Sequence, residues 1–97
     1  MTEFGRAVRQ NGSLGTDHGT GGLAMIIGGD VKGGRVIGNW SGLKDEDLLD
    51  GRDVAPTGDI RELAAAMLYR QFDVAAGDLN NKIFPGLDFS KSSAYLV

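Results

Sequence analysis

The chain has 97 residues, with 10 basic and 13 acidic side chains for a formal net charge of −3, and no cysteine. That length fits one domain at most or a fragment of a larger one, and the missing thiols exclude disulfides, zinc ribbons and iron–sulfur clusters. The dispersed basic residues leave no nucleic-acid footprint, and no apolar run approaches the ~18 residues of a membrane span, so neither nucleic acid nor membrane is expected as a partner.

Hydrophobic residues make up 41% of the chain, an ordinary globular share, but glycine occurs 16 times, more than twice its usual share of roughly 7%. Most of these glycines lie between Gly5 and Gly51. Each adds backbone entropy that ordering must overcome, so the first half is expected to hold its shape by packing against something larger.

In chain order, Met1 to Arg6 reads as the end of a strand whose body is missing, with Glu3 at the strand end, where open α/β sheets place site residues. Gly12 to Gly22 form a polar, glycine-rich loop with no helical or strand period, longer than a silent connector. Leu23 to Ile27 are continuously apolar and closed by Gly28-Gly29, which predicts a strand buried on both faces. Gly33-Gly34 between Val31-Lys32 and Arg35-Val36 predicts a two-residue hairpin whose return arm runs to Trp40. Ser41 to Asp53 is acidic and irregular and predicts a surface loop, with one helical turn within Lys44 to Asp50.

Ile60, Leu63, Ala64, Met67 and Leu68 follow the i, i+3, i+4 spacing of an amphipathic helix whose apolar stripe faces the core. Thr57 as an N-cap and the capping-box pattern Asp59-Ile60-Arg61-Glu62 both mark its start, and its end is expected near Gln71-Phe72. Asp73 to Asn81 has room for a short helical turn. Ile83-Phe84 is an apolar anchor entering a Pro85-Gly86 turn, and Ser93 to Val97 is a last short strand or a loose tail. Trp40 and Phe84 are expected as core anchors. The fold class is therefore mixed α+β: a strand, a β-hairpin and one main amphipathic helix.

Without cysteine, any metal must be held by oxygen and imidazole, and His18 is the single histidine. Asp17-His18-Gly19 supplies a carboxylate and an imidazole suited to zinc, manganese or iron, with a glycine that lets backbone approach an ion. By residue type alone an ordinary turn is the simpler reading, with Asp17 bonding backbone two residues on and His18 in solvent. Gly19-Thr20-Gly21-Gly22 lacks the lysine of a phosphate loop, which excludes nucleotide-loop chemistry. Asn11-Gly12-Ser13 and Asn39-Trp40-Ser41 match the glycosylation acceptor, but turn chemistry accounts better for Asn11-Gly12.

Thr2-Glu3-Phe4-Gly5-Arg6, Asn11-Gly12-Ser13 and Gly15-Thr16-Asp17-His18-Gly19-Thr20-Gly21 together resemble the bacterial family called domain of unknown function 1501. The likeness continues through Gly28-Gly29, Val31 to Gly34, Gly38-Asn39-Trp40, Gly42-Leu43, Gly51 to Thr57, Asp59-Ile60-Arg61 and Phe84-Pro85-Gly86. Members of that family are longer, often carry a twin-arginine export signal, and are grouped with the alkaline phosphatase and sulfatase superfamily, whose fold is an α/β/α sandwich. The resemblance implies that this chain corresponds to the C-terminal part of such a sandwich. The central sheet, the nucleophile position and further metal ligands would lie upstream, in an exported, periplasmic protein.

The same resemblance implies a two-metal site for phosphate or sulfate ester hydrolysis, formed by an Asp-His-Gly after one strand and a histidine in a later loop. Glu3-Phe4-Gly5 falls at the first position, with Phe4 in place of a histidine ligand, and His18 falls at the second. His18 would then ligate one ion and Glu3 the other, Asp17 would ligate or orient His18, and Thr16 and Thr20 would assist through their hydroxyls. The implied cofactor is a divalent metal (zinc, manganese or calcium). The implied partners are the remainder of a larger chain or a partner subunit, together with an anionic ester substrate. No catalytic residue is assigned within this chain. The alternative is a small non-catalytic protein-interaction module.

Overall fold

The computed structural model describes residues 1–97 and has a mixed α+β fold. The chain forms two compact units, Met1–Met25 with Ile37–Gly58, and Ile26–Val36 with Asp59–Val97.

The first unit is built around a short antiparallel pair, β1 (Gly5–Arg6) and β2 (His18–Gly19), in the register Gly5 to Gly19 and Arg6 to His18. Glycine is required at this pair. A Cβ on Gly19 would lie 2.6 Å from the Arg6 carbonyl carbon and 2.7 Å from the Ala7 nitrogen, closer than packed atoms tolerate. Ala7 extends the ladder by a bridge to Asp53, and Val8 N–H donates to the Arg52 carbonyl at 3.0 Å.

Asp53 and Leu49 exchange both backbone hydrogen bonds, at 2.9 and 3.1 Å, across a turn in which Asp50 (φ 54°) and Gly51 (φ 64°) are both left-handed. Positive φ at both central residues is the type I′ hairpin signature that Asp-Gly favours. The expected surface loop over Ser41–Asp53 thus ends in a paired turn, and its helical turn occurs at Asp45–Asp47. The buried apolar residues of this unit are Ala7 and Leu48.

Leu23 to Ile27 form no strand, against the sequence expectation. Their backbone hydrogen bond is to the Leu23 carbonyl, from Thr2 N–H at 3.3 Å, and Leu23, Met25 and Ile27 are exposed. An apolar run becomes a buried strand only where neighbouring strands flank it, and no strand of this chain pairs with this one. Trp40, expected as a core anchor, is 72% exposed.

The second unit centres on α1 (Ile60–Phe72), capped by Asp59, whose carboxylate accepts the Arg61 N–H. Asp59 thus takes the cap position, not Thr57. The helix closes on Asp73 in the left-handed conformation, with its N–H donating to the Leu68 carbonyl. A short α2 (Ala76–Asp78) runs into a wider turn over Leu79–Ile83, and α3 (Phe89–Ser92) follows the Pro85-Gly86 turn.

The core is Ala65, Leu79 and Leu87, with Leu68, Val74, Phe84 and Phe89 packed around it. Phe84 is the anchor that its sequence suggested. The buried stripe of α1 is displaced from the expected one: Ala65 and Ala66 are buried, while Ile60 and Met67 are exposed. Small alanines let the leucines that follow the helix approach its backbone closely.

The Gly33-Gly34 hairpin also does not form. Gly34 alone of the pair has positive φ (73°), whereas a I′ turn needs both residues there. Val31 instead bridges Leu96, Lys32 N–H donates to the Tyr95 carbonyl at 3.0 Å, and Val97 N–H donates to Asp30 at 2.9 Å. The tail is thereby tied down as a single bridged residue after a 3-10 turn at Ser93–Tyr95.

Candidate functional site

The candidate site residues Glu3, Thr16, Asp17, His18 and Thr20 all lie in the first unit. His18 is held by the β1–β2 register, and its exposed imidazole lies face to face with Phe4, with ring centroids 4.0 Å apart and planes 13° from parallel. Neither ring nitrogen takes part in a hydrogen bond within the chain, and the polar contact made by His18 beyond the ladder is its carbonyl, which accepts from Arg52 Nη2 at 3.0 Å. Both ring nitrogens are therefore open to solvent or to a ligand.

Asp17 does not close the turn onto backbone two residues on. Its Oδ1 accepts from Asn11 Nδ2 at 2.9 Å, and its Oδ2 lies 3.9 Å from Arg52 Nη2. Asn11 can aim that amide because its own Oδ1 accepts the backbone N–H groups of Ser13 (2.9 Å) and Gly15 (3.1 Å). This is the side-chain turn that Asn11-Gly12 suggested. Leu14 takes φ 64° to complete it.

Thr20 donates its hydroxyl to Asp53 Oδ2 at 2.7 Å, and the Thr16 carbonyl accepts from Arg6 Nη1 at 2.8 Å. Glu3 is exposed and makes no hydrogen bond or ion pair. The structure therefore brings Asp17, His18 and Thr20 into one hydrogen-bonded segment and leaves Glu3 apart from it. No group of three His, Asp or Glu side chains converges anywhere in the chain. The adjacent residues Asp17 and His18 carry a carboxylate and an imidazole, which is short of a closed coordination shell.

The sequence reading did not foresee the stacking of Phe4 on His18, nor any role at this site for Arg52 and Asp53. Arg52 Nη1 pairs with Asp53 Oδ1 at 2.8 Å, so one guanidinium joins that carboxylate to the His18 carbonyl. The available signal was Asp50-Gly51, a hairpin dipeptide that returns the chain toward β1.

A separate hollow of about 470 Å³ lies in the second unit, lined by Asp30, Tyr69, Arg70, Asp73, Val74 and Ala75. It contains none of the candidate site residues, and Arg70 is paired with Asp30 at 3.2 Å on its lining.

The model of the family described as protein of unknown function (DUF1501) matches residues 1–83, and the chain belongs to that family. No curated protein and no solved structure matches it.

Proposed function

We propose that this chain supplies one side of a divalent metal site in a hydrolase-like protein of the alkaline phosphatase and sulfatase superfamily, and that it is not catalytic by itself. The observation that carries the reading is the condition of His18. Its exposed imidazole has one face covered by Phe4 and both nitrogens unbonded, next to an Asp17 carboxylate already oriented by Asn11. A metal ligand needs such a lone pair on a ring whose orientation is set.

His18 and Asp17 are the residues that would hold zinc, manganese or calcium, with Glu3 as a further carboxylate on the same unit. The remainder of a larger chain or a partner subunit would complete the donor set. A divalent ion held there would act as a Lewis acid toward an oxygen of an anionic phosphate or sulfate ester. Thr16 keeps its hydroxyl available to such a substrate, whereas the Thr20 proton is engaged by Asp53. An exported, periplasmic location accompanies this reading through the family resemblance.

Titration calorimetry with zinc and with manganese tests it. The chain alone is expected to bind more weakly than about 1 μM, which is about −8 kcal/mol, and His18→Ala is expected to abolish that binding. Tighter binding would mean that the donor set is complete, and binding indifferent to His18→Ala would remove His18 from the site.

A second reading is favoured by one observation: Leu23 and Met25, both in the first unit, are 64% and 77% exposed. In it the chain is a non-catalytic interaction module that covers these side chains with a partner. A chain that stays monomeric and binds no hydrophobic dye would count against it.

A further inference from the structure

We infer that Arg52 and Asp53 are positioning residues for His18, clamping the Asp17–Thr20 segment to the Leu49–Asp53 turn. Two contacts reach that segment from these side chains, and a third joins the side chains to each other. Arg52 Nη2 donates to the His18 carbonyl at 3.0 Å, Asp53 Oδ2 accepts the Thr20 hydroxyl at 2.7 Å, and Arg52 Nη1 joins Asp53 Oδ1 at 2.8 Å.

His18 and Thr20, on either side of Gly19, are thus held by neighbouring residues of one turn. Asp17 Oδ2 lies 3.9 Å from the same guanidinium. The Asp53 side chain is 14% exposed, against 51% for Arg52 and 62% for Asp17, so the carboxylate is the least solvated member of the cluster. The turn is itself fixed to β1, by the Ala7–Asp53 bridge and by Val8 N–H on the Arg52 carbonyl.

A surface ion pair between neighbouring residues contributes little when it stands alone. This one differs because the guanidinium fork spans a backbone carbonyl and a carboxylate at once, which a lysine ammonium cannot reproduce. Holding the segment at His18 and at Thr20 limits rotation of the backbone between them. The ring that projects from it is thereby kept against Phe4, immediately before β1.

The purpose of that positioning rests on the metal-site reading, whereas the positioning itself does not, so the test is made on the full chain without metal. With one histidine in the sequence, the imidazole NMR resonances belong to His18 alone. Stacking on Phe4 is expected to displace them upfield of those of a free imidazole. Thr20→Val and Arg52→Gln are each expected to lose at least half of that displacement. Arg52→Lys should lose as much as Arg52→Gln, while Thr20→Ser should retain it. Amide shifts of Gly5 to Ala7 report whether the unit stays folded, and if Arg52→Gln disrupts it, Thr20→Val decides.

Imidazole resonances that stay at their parent positions in Thr20→Val and Arg52→Gln overturn the proposal. So does Thr20→Ser behaving like Thr20→Val, because the hydroxyl would then not be the contact. A failed metal titration leaves these resonances, and the inference, untouched.

Discussion

The phenyl ring of Phe4 and the imidazole of His18 are stacked, 4.0 Å between centroids and 13° from parallel. Phe4 is the residue that the family resemblance places where a histidine ligand is expected. Phe4→His should therefore set a second imidazole beside the first and raise zinc affinity of the isolated chain at least about tenfold, since each added nitrogen donor moves the site toward a complete shell. Phe4→Leu should give no gain. Calorimetric titration of the three proteins checks this, and equal affinities would mean that position 4 is not a ligand position.

Gly19→Ala and Gly12→Ala should separate sharply in urea denaturation. The added Cβ at Gly19 meets Arg6 and Ala7 backbone within 2.7 Å, whereas at Gly12 nothing lies within 4 Å and φ is not positive. Gly19→Ala is expected to cost at least about 2 kcal/mol by overpacking. Gly12→Ala should fall within about 0.5 kcal/mol of the parent.

Acid should weaken the start of α1. Hydrogen bonds from the Arg61 side chain and then from its backbone N–H hold the Asp59 carboxyl below the usual carboxylate range. A depressed folded-state pKa stabilises the protein above the unfolded value, about 4, and the contribution disappears as pH falls through the folded value. Asp59→Ala should cost about 1 kcal/mol near neutral pH as a lost cap, and the gap between variant and parent should close as pH falls through the folded value of Asp59. Asp59→Asn should keep most of the cap and lose the pH dependence. Thermal melts followed by far-UV circular dichroism across this range provide the measurement.

Leu79 and Ser92 are the two largest fully buried side chains of the second unit, and their contributions are opposite in sign. Leu79 is completely buried among Ala65 and Leu87, so Leu79→Ala is expected to cost roughly 2 to 5 kcal/mol. Ser92 is equally buried, and its hydroxyl has no partner. Ser92→Ala should be neutral or stabilise by up to about 1 kcal/mol, because it removes an unmet hydrogen-bonding group. Denaturant midpoints of the two variants should move in opposite directions or, at the limit, only the first should move.

What was legible in the sequence was what neighbouring residues determine. The i, i+3, i+4 spacing and the Asp59 signal located α1, yet the buried face could not be fixed by spacing, because it depends on where Leu79 and Leu87 return to meet Ala65. Gly33-Gly34 permitted a hairpin without compelling one, since glycine tolerates negative φ as readily as positive. Leu23–Ile27 has the composition of a buried strand, but burial needs flanking strands that this chain does not provide. At the site, Asp17 and His18 stood out by side-chain chemistry. The Arg52 contact, made across 34 residues, is a product of the tertiary fold and leaves no local pattern.

Asn11 also determines how the segment ages chemically. An asparagine followed by glycine is prone to deamidation, because the glycine N–H can attack the side-chain carbonyl with little steric hindrance. Here the side chain is held by two incoming backbone N–H groups and by its own bond to Asp17, which restrains it from that attack. Once converted to aspartate, the group that donates to Asp17 at 2.9 Å would become a second carboxylate, and attraction would turn into like-charge repulsion. A one-dalton change would then loosen the residue beside His18 without altering a single encoded amino acid.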